Sequence, residues 1–258
     1  SHGFRPDRSC HTALRMIQNR FTRCKWFVEG DIKGFFDNID HNVMIGILRK
    51  RIKDERFLRL IRKFLNAGYM EDNQVHQRYS GTPQGGIISP ILANIYLDQF
   101  DKYMAEFKKR FDRGDKRAVN VEYRKLSDKR IRLKRKRAKA KTEEEKQSLL
   151  ESIRELDKVH KSIPCKDPMD ENFRRLQYVR YADDFLIGII GAKEDAQAVK
   201  QEIGTYIAGQ LKLELSDEKT LVTKATDRAK FLGFEIRVTP QSNHTKKTKS
   251  GSTARNYS

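Results

Sequence analysis

The sequence lacks most of the devices that mark secreted, membrane-spanning or fibrous proteins. Its three cysteines, Cys10, Cys24 and Cys165, form no CxxC spacing and cannot all pair. That excludes a disulfide scaffold and favours a reducing, intracellular setting. Six histidines are scattered without zinc-ligand spacing. No apolar run approaches the roughly 20 residues of a membrane span, and the opening SHGFRPDRSCHTAL has no apolar signal-peptide core. A cytoplasmic protein without membrane contact is therefore expected. No internal repeat is visible. Acidic residues are also scarce, with 35 Asp and Glu against 54 Lys and Arg, a net charge of +19. What remains, 37% hydrophobic residues in a chain of 258, suffices for one large domain or two small ones and excludes general disorder.

The positive charge is concentrated. Lys102 to Lys141 holds 18 Lys and Arg against 5 Asp and Glu, and Pro240 to Ser258 adds four basic residues and no acidic one. The rest of the chain is nearly balanced. A near-neutral core with basic appendages suits a polyanion such as nucleic acid, although a solvated charged helix has the same composition.

Periodicity predicts a helix over 9–20, where Ser9 precedes Ala13, Leu14 and Ile17. KWFVEGDIKGFF has strand-like density at Trp26, Phe27, Val28 and Ile32. Asp40 is placed to cap the helix carrying Val43, Ile47 and Leu48, and ERFLRLIRKFLNAG predicts another helix. YSGTPQGGIISP must be a loop, and ILANIYLDQFDKYMAEFKKRF a helix. Glu122 to Ser162 reads as two antiparallel helices with basic outer faces, its second half carrying Leu149, Ile153, Leu156, Val159 and, just beyond, Ile163 on one side. RLQYVRYA and FLIGIIG then read as strands, KEDAQAVKQEIGTYIAGQL as a helix, and LVT and KFLGFEI as further strands. The sum is an α+β domain with a small antiparallel sheet packed on helices.

Asp183 and Asp184 interrupt the apolar stretch QYVRYADDFLIGII. A two-residue connection between strands has the length of a tight hairpin, which places both carboxylates at the end of a sheet. Like charges this close raise each other's pKa unless a cation offsets them, and Mg²⁺ takes oxygen ligands through few carboxylates plus substrate phosphates. A solvated Asp-Asp turn is the bland reading of the pair. A second site shifts the balance. Asp31 follows the apolar strand Trp26–Val28 and precedes Gly34 and two aromatics. Three carboxylates converging from two strands suit two Mg²⁺ ions about 3.5–4 Å apart, one activating a hydroxyl and one stabilising leaving pyrophosphate.

GFRPDRSCHTAL, VEGDIKGFFDNIDH, GTPQGGIISPILANIYLDQFD and RYADD, in this order, resemble the reverse transcriptases of group II introns, also called maturases. The resemblance runs from Gly3 to about Ile236 and is loosest in the basic block. It implies a reverse-transcriptase-like palm with partial fingers and a basic helical insertion. The parts are 1–101 (first part of fingers and palm), 102–168 (insertion), 169–238 (second part of the palm) and 239–258 (a flexible basic tail). It implies RNA-directed DNA polymerase activity with two Mg²⁺, Mn²⁺ being a substitute, and RNA, a DNA primer and deoxynucleoside triphosphates as partners. Asp31, Asp183 and Asp184 fall on the metal triad, with the Ile32 backbone carbonyl as a further ligand. Asp31 and Asp183 would bridge the ions and Asp184 would contribute less. Phe36 falls on the aromatic gate that rejects a 2′-hydroxyl, beside Gly34 and a core-packing Phe35. Gln84 and Lys219 fall near the incoming nucleotide. Arg5, Arg8, Arg180 and Tyr181 would meet template or primer, and Gly233 lies on the strand of the primer grip. Lys134, Arg135, Lys136 and Arg137 are the candidates for RNA contact in the insertion.

Two departures from the family pattern stand out. The most N-terminal finger segment and the helical thumb are not seen, so the piece alone is expected to be feeble or inactive. A non-catalytic RNA-binding splicing cofactor is the alternative reading. A reverse transcriptase of another lineage (retron, diversity-generating or CRISPR-associated) shares the triad but is disfavoured by GFRPDRSCHTAL and GTPQGGIISP. The amphipathic side of the basic block also leaves a homodimer open.

Overall fold

The structure, a computed structural model, describes residues 1–66, 88–167 and 170–239 in full, and the backbone of four short strands outside them. In chain order the elements are α1 (Cys10–Arg20), β1 (Trp26–Gly30), α2 (Phe35–Asn38), α3 (His41–Arg49), α4 (Glu55–Asn66), β2 (Tyr69–Glu71), β3 (Gln74–His76) and α5 (Ser89–Phe111). There follow α6 (Val121–Lys139), α7 (Glu143–Ser162), β4 (Arg175–Tyr181), β5 (Asp184–Ile190), α8 (Lys193–Leu211), β6 (Val222–Lys224), β7 (Ala229–Phe231), β8 (Phe234–Ile236), β9 (Thr245–Lys247) and β10 (Thr253–Arg255).

Local chemistry accounts for the helix starts. Ser9 caps α1 in a capping box with Thr12, and the Asp40 carboxylate accepts the Val43 N–H at 2.8 Å at the start of α3. Asn120 and Thr142 cap α6 and α7 in the same way. Pro90 sits in the first turn of α5, where its missing N–H costs nothing.

Two compact units result. One comprises Ser1–Asp112 with the chain from Arg174 onward, the other Arg113–Phe173. In the first, β4, β5, β1 and β6 form an antiparallel sheet in that spatial order. Side-chain alternation sorts the sheet into two buried faces. Val28, Leu176, Phe185, Ile187 and Ile189 join one core cluster with α3, α4, α5 and α8, whereas Phe27, Val179 and Leu186 join another with α1 and β7. A sheet covered on both sides explains why β5 reads as an unbroken apolar run. Gly30 serves this packing directly. A Cβ there would lie 2.0 Å from the Phe185 ring, which rests on the bare backbone.

The second unit is the expected pair of antiparallel helices. Ser127 meets His160 at 2.7 Å, Arg130 meets Asp157 at 2.6 Å, and the Tyr123 and His160 rings lie 4.1 Å apart. The excess of positive charge lies on α6, since α7 opens on Glu143, Glu144 and Glu145 and its Lys and Arg are outnumbered by acids. This unit starts at Arg113 rather than at Lys102 because α5 runs on to Phe111, with Met104 and Phe107 buried in the first unit's core.

Two sequence expectations change. KFLGFEI is a tight hairpin of β7 and β8, not one strand, turning at Leu232 and Gly233 with φ of 53° and 78°. The basic tail holds the paired strands β9 and β10, where a flexible segment was expected. Among the described residues no helix is long and apolar enough to cross a membrane.

Candidate active site

Three chain segments meet at one end of the sheet. The tip of the β4–β5 hairpin is Ala182–Asp183, because Tyr181 already pairs with Asp184. Asp184 is therefore the first residue of β5, which starts one position earlier than a turn made of both aspartates would have it. On the neighbouring strand Gly30 pairs with Phe185, so the register carried one residue further sets Asp31 opposite Asp184. Asp31 shares parity with Phe27 and Glu29, and Asp184 with Leu186, so both fall on the α1 side of the sheet.

The third segment is the loop after α8. Its backbone holds the chain beyond β1: Ser216 N–H donates to the Asp31 carbonyl at 2.9 Å, and Lys33 N–H to the Glu214 carbonyl at 2.9 Å. Ile32, itself buried, bridges Leu215. This loop delivers Lys219, whose ammonium lies 3.0 Å from Asp31 Oδ2. The Lys219 side chain is 69% exposed, so solvent screens the pair.

Burial pushes the Asp184 carboxyl up to about 6, and the charges of Asp183 and Asp31 together with a hydrogen bond to Asp31 push the same way, against Lys219. Burial also raises Asp183, with Asp31 adding to it while the turn's backbone N–H and Lys219 oppose. The ion pair with Asp31 raises Lys219 in turn. The site is a cluster of mutually repelling carboxylates with one exposed ammonium, that of Lys219, paired to it. As the side chains stand, no three acidic, histidine or cysteine groups among the described residues are placed to hold an ion, and Asp31 Oδ2 is paired with Lys219. The donor set nonetheless fits a hard divalent cation. It is all oxygen, partly open, and burdened with like charge that a cation would relieve.

The other candidates fall as follows. Gly34 starts α2 at φ 52°; Phe35 is buried and Phe36 half-buried, their rings 5.2 Å apart and edge-on. The two aromatics part on the helical turn of α2. Tyr181 is half-buried against the α1-side core, and Gly233 sits at the β7–β8 turn. Arg5 is exposed, as is Arg8, which donates to the Ser1 carbonyl at 3.0 Å. Lys134, Arg135, Lys136 and Arg137 are all exposed on α6. Gln84, with Gly85 and Gly86, lies outside the described residues.

Arg180 is a correction. It is 0% exposed and grips Asp101 with Nε and Nη2 at 2.9 and 2.6 Å, so it offers no surface to a template or primer. Strand alternation carried the signal, for Arg180 shares a face with Leu176 and Tyr178, towards the helices. Asp101 and Tyr178 were missed because an acid in an apolar helix and a tyrosine in a strand have many bland explanations. A buried Glu29 was missed too; it accepts from the Thr223 hydroxyl and, at 2.7 Å, from the Lys230 N–H.

Residues 1–121 and 149–236 match the family described as "Reverse transcriptase (RNA-dependent DNA polymerase)". The group II intron-encoded protein LtrA of Lactococcus lactis subsp. cremoris is 50% identical over 92% of this chain and 39% of its own length. A putative COX1/OXI3 intron 2 protein of Saccharomyces cerevisiae is 36% identical over 93% of this chain and 27% of its own. The chain thus spans well under half of these relatives. A solved structure of apo telomerase from Candida tropicalis aligns over 89% of this chain and 38% of that one, with TM-score 0.48 and 13% identity. Four ordered motifs, the palm-like sheet with its aspartates at one end, and a family match across most of both halves agree: the chain belongs to the reverse transcriptase family of RNA-dependent DNA polymerases.

Proposed function

We propose that the protein containing this chain is a group II intron reverse transcriptase that copies RNA into DNA and also binds intron RNA to assist its splicing. The observation that carries the reading is the register that sets Asp31 opposite Asp184 and beside the Asp183 turn. Asp31, Asp183 and Asp184, with the Ile32 carbonyl, would hold two Mg²⁺ ions, or Mn²⁺ in their place. Bound there, such ions activate a primer 3′-hydroxyl and neutralise the charge that develops on the leaving pyrophosphate. The chain's own part is positioning and charge placement. Phe36, half-exposed beyond the buried Phe35, would lie beneath the sugar of an incoming deoxynucleotide and leave no room for a 2′-hydroxyl. Lys219 balances Asp31 until cations arrive and is then free to turn to the triphosphate. Gln84 falls on the family's motif for the incoming nucleotide and would contact it.

The test is Asp183→Ala in the full-length protein. DNA synthesis on an RNA template should vanish while affinity for folded intron RNA stays near wild type. Synthesis at the wild-type rate would end the polymerase reading.

The exposed cationic face of α6 favours a second role, RNA binding independent of synthesis, since neutralised phosphates release counterions. Splicing assistance would then survive loss of the aspartates.

A further inference from the structure

The turn that carries Asp183 has a costly shape. Ala182 has φ 52°, a left-handed conformation that costs a non-glycine residue on the order of 1 kcal/mol or more. Such a residue persists where its neighbours over-determine it. Two do so here. Arg180 Nη1–H donates to the Ala182 carbonyl at 2.7 Å. On the other side Gly3 packs so closely that a Cβ on it would lie 2.5 Å from the Ala182 nitrogen.

Both neighbours are anchored on the same helix. Arg180 grips Asp101 of α5 through two hydrogen bonds, and the Tyr178 hydroxyl donates to the same carboxylate at 2.9 Å. Burial raises the Asp101 pKa, but Arg180's hydrogen bond and charge outweigh it and hold the carboxyl below its ordinary range. Two helical turns earlier on α5, the Asn94 amide donates to the Gly3 carbonyl at 3.0 Å. One face of α5 therefore braces Ala182 from two directions. A buried ion pair is weak evidence for stability, because apolar residues of similar volume commonly serve as well. An arginine that keeps one further N–H for the carbonyl of a strained turn has a more specific use.

We propose that Arg180 is a positioning residue for the nucleotidyl-transfer site: anchored on Asp101, it fixes the Ala182–Asp183 turn so that the Asp183 carboxylate meets the bound cations. The proposal rests on the reading of Asp31, Asp183 and Asp184 as the cation site. Arg180 touches no substrate. Without it the turn is free to relax, Asp183 samples other directions, and cation affinity falls with the fold intact.

The experiment titrates Mn²⁺ into the chain and follows free ion by electron paramagnetic resonance, with thermal melting in parallel. Arg180→Met, Asp101→Leu and Tyr178→Phe are combined, so that the arginine, its carboxylate and the tyrosine hydroxyl leave together. The triple variant should melt as a folded protein yet bind Mn²⁺ about tenfold more weakly, a difference of about 1.4 kcal/mol. Arg180→Lys keeps the charge but cannot span the Asp101 fork and the Ala182 carbonyl together, and should weaken binding several-fold; it decides the matter if the triple variant does not fold. A folded variant with wild-type Mn²⁺ affinity overturns the proposal, because a merely structural network would move melting alone. Asp183→Ala separates the two levels. If it abolishes binding while the Arg180 variants do not, positioning fails alone; if it binds Mn²⁺ as wild type does, the cation site itself is wrong.

Discussion

Replacing Asp184 by Asn should stabilise the protein in the absence of divalent ions. The folded structure holds this carboxyl up at about 6 from an ordinary 3.8, first through burial and then through Asp183 and Asp31. A carboxyl whose pKa is raised by folding binds more protons folded than unfolded. Its ionised form therefore opposes folding at neutral pH, and the penalty fades as pH falls through about 6 towards the unfolded value. Two pH units correspond to about 3 kcal/mol at 1.36 kcal/mol each. The site is partly open to water, and screening reduces this to about 1 kcal/mol. In a protein of this size that is a rise of about 2–4 °C in melting temperature. The assay is thermal melting of wild type and Asp184→Asn in EDTA at pH 7.5 and at pH 4.5, then with saturating Mg²⁺ at pH 7.5. The variant should melt higher in EDTA at pH 7.5, and its advantage should shrink to about a third at pH 4.5, which lies between the folded and the unfolded values. Mg²⁺ should raise wild type and leave the variant nearly unmoved. Equal or lower melting of the variant in EDTA at pH 7.5, or an advantage undiminished at pH 4.5, would refute the claim that folding raises the Asp184 carboxyl in the free protein.

Gly30→Ala puts a Cβ 2.0 Å from the Phe185 ring, deep in the sheet, and should cost about 1–3 kcal/mol or more in melting or denaturant experiments. Pairing it with Phe185→Leu should return much of that loss, and no rescue would mean the ring is not the obstacle. Changing Lys134, Arg135, Lys136 and Arg137 together to Gln should weaken binding to folded RNA and flatten the slope of log affinity against log salt by up to about 3. An unchanged slope would identify this stretch of α6 as a solvated face only. Phe36→Ala in the full-length protein should raise incorporation of ribonucleotides relative to deoxynucleotides, measured by primer extension on an RNA template; unaltered sugar selectivity would place the gate elsewhere.

Most of the helices were legible because their signals are local. Ser9 with Thr12, Asp40, and the apolar rows of α4 and α8 each need only a dozen neighbouring residues to be read. The antiparallel α6–α7 pair was legible for the same reason. Boundaries set by tertiary contact were not. Where α5 leaves the core depends on Met104 and Phe107 finding partners, and a charge count that begins at Lys102 cannot see them. The hairpin of β7 and β8 was hidden because KFLGFEI carries one glycine, and a tight turn also needs Leu232 at positive φ, which sequence alone discourages.

The candidate site divides along the same line. Adjacent aspartates in an apolar stretch raise the question of a shared cation but also suit a solvated turn; their partner Asp31 lies far away in the chain, and only strand register brings it alongside. That register also separates the two hairpin aspartates in the fold. With the turn at Ala182–Asp183, Asp183 projects from a loop whose shape must be imposed, while Asp184 is held by pairing to Tyr181 on one side and faces Asp31 on the other. A carboxylate on a strand needs no brace beyond the sheet; one on a strained turn does. The fully buried Arg180, misread in the sequence as a nucleic-acid contact because it is basic and beside the motif, is then intelligible as that brace. Its charge is spent on Asp101, and what reaches the site is a single hydrogen bond to the Ala182 carbonyl.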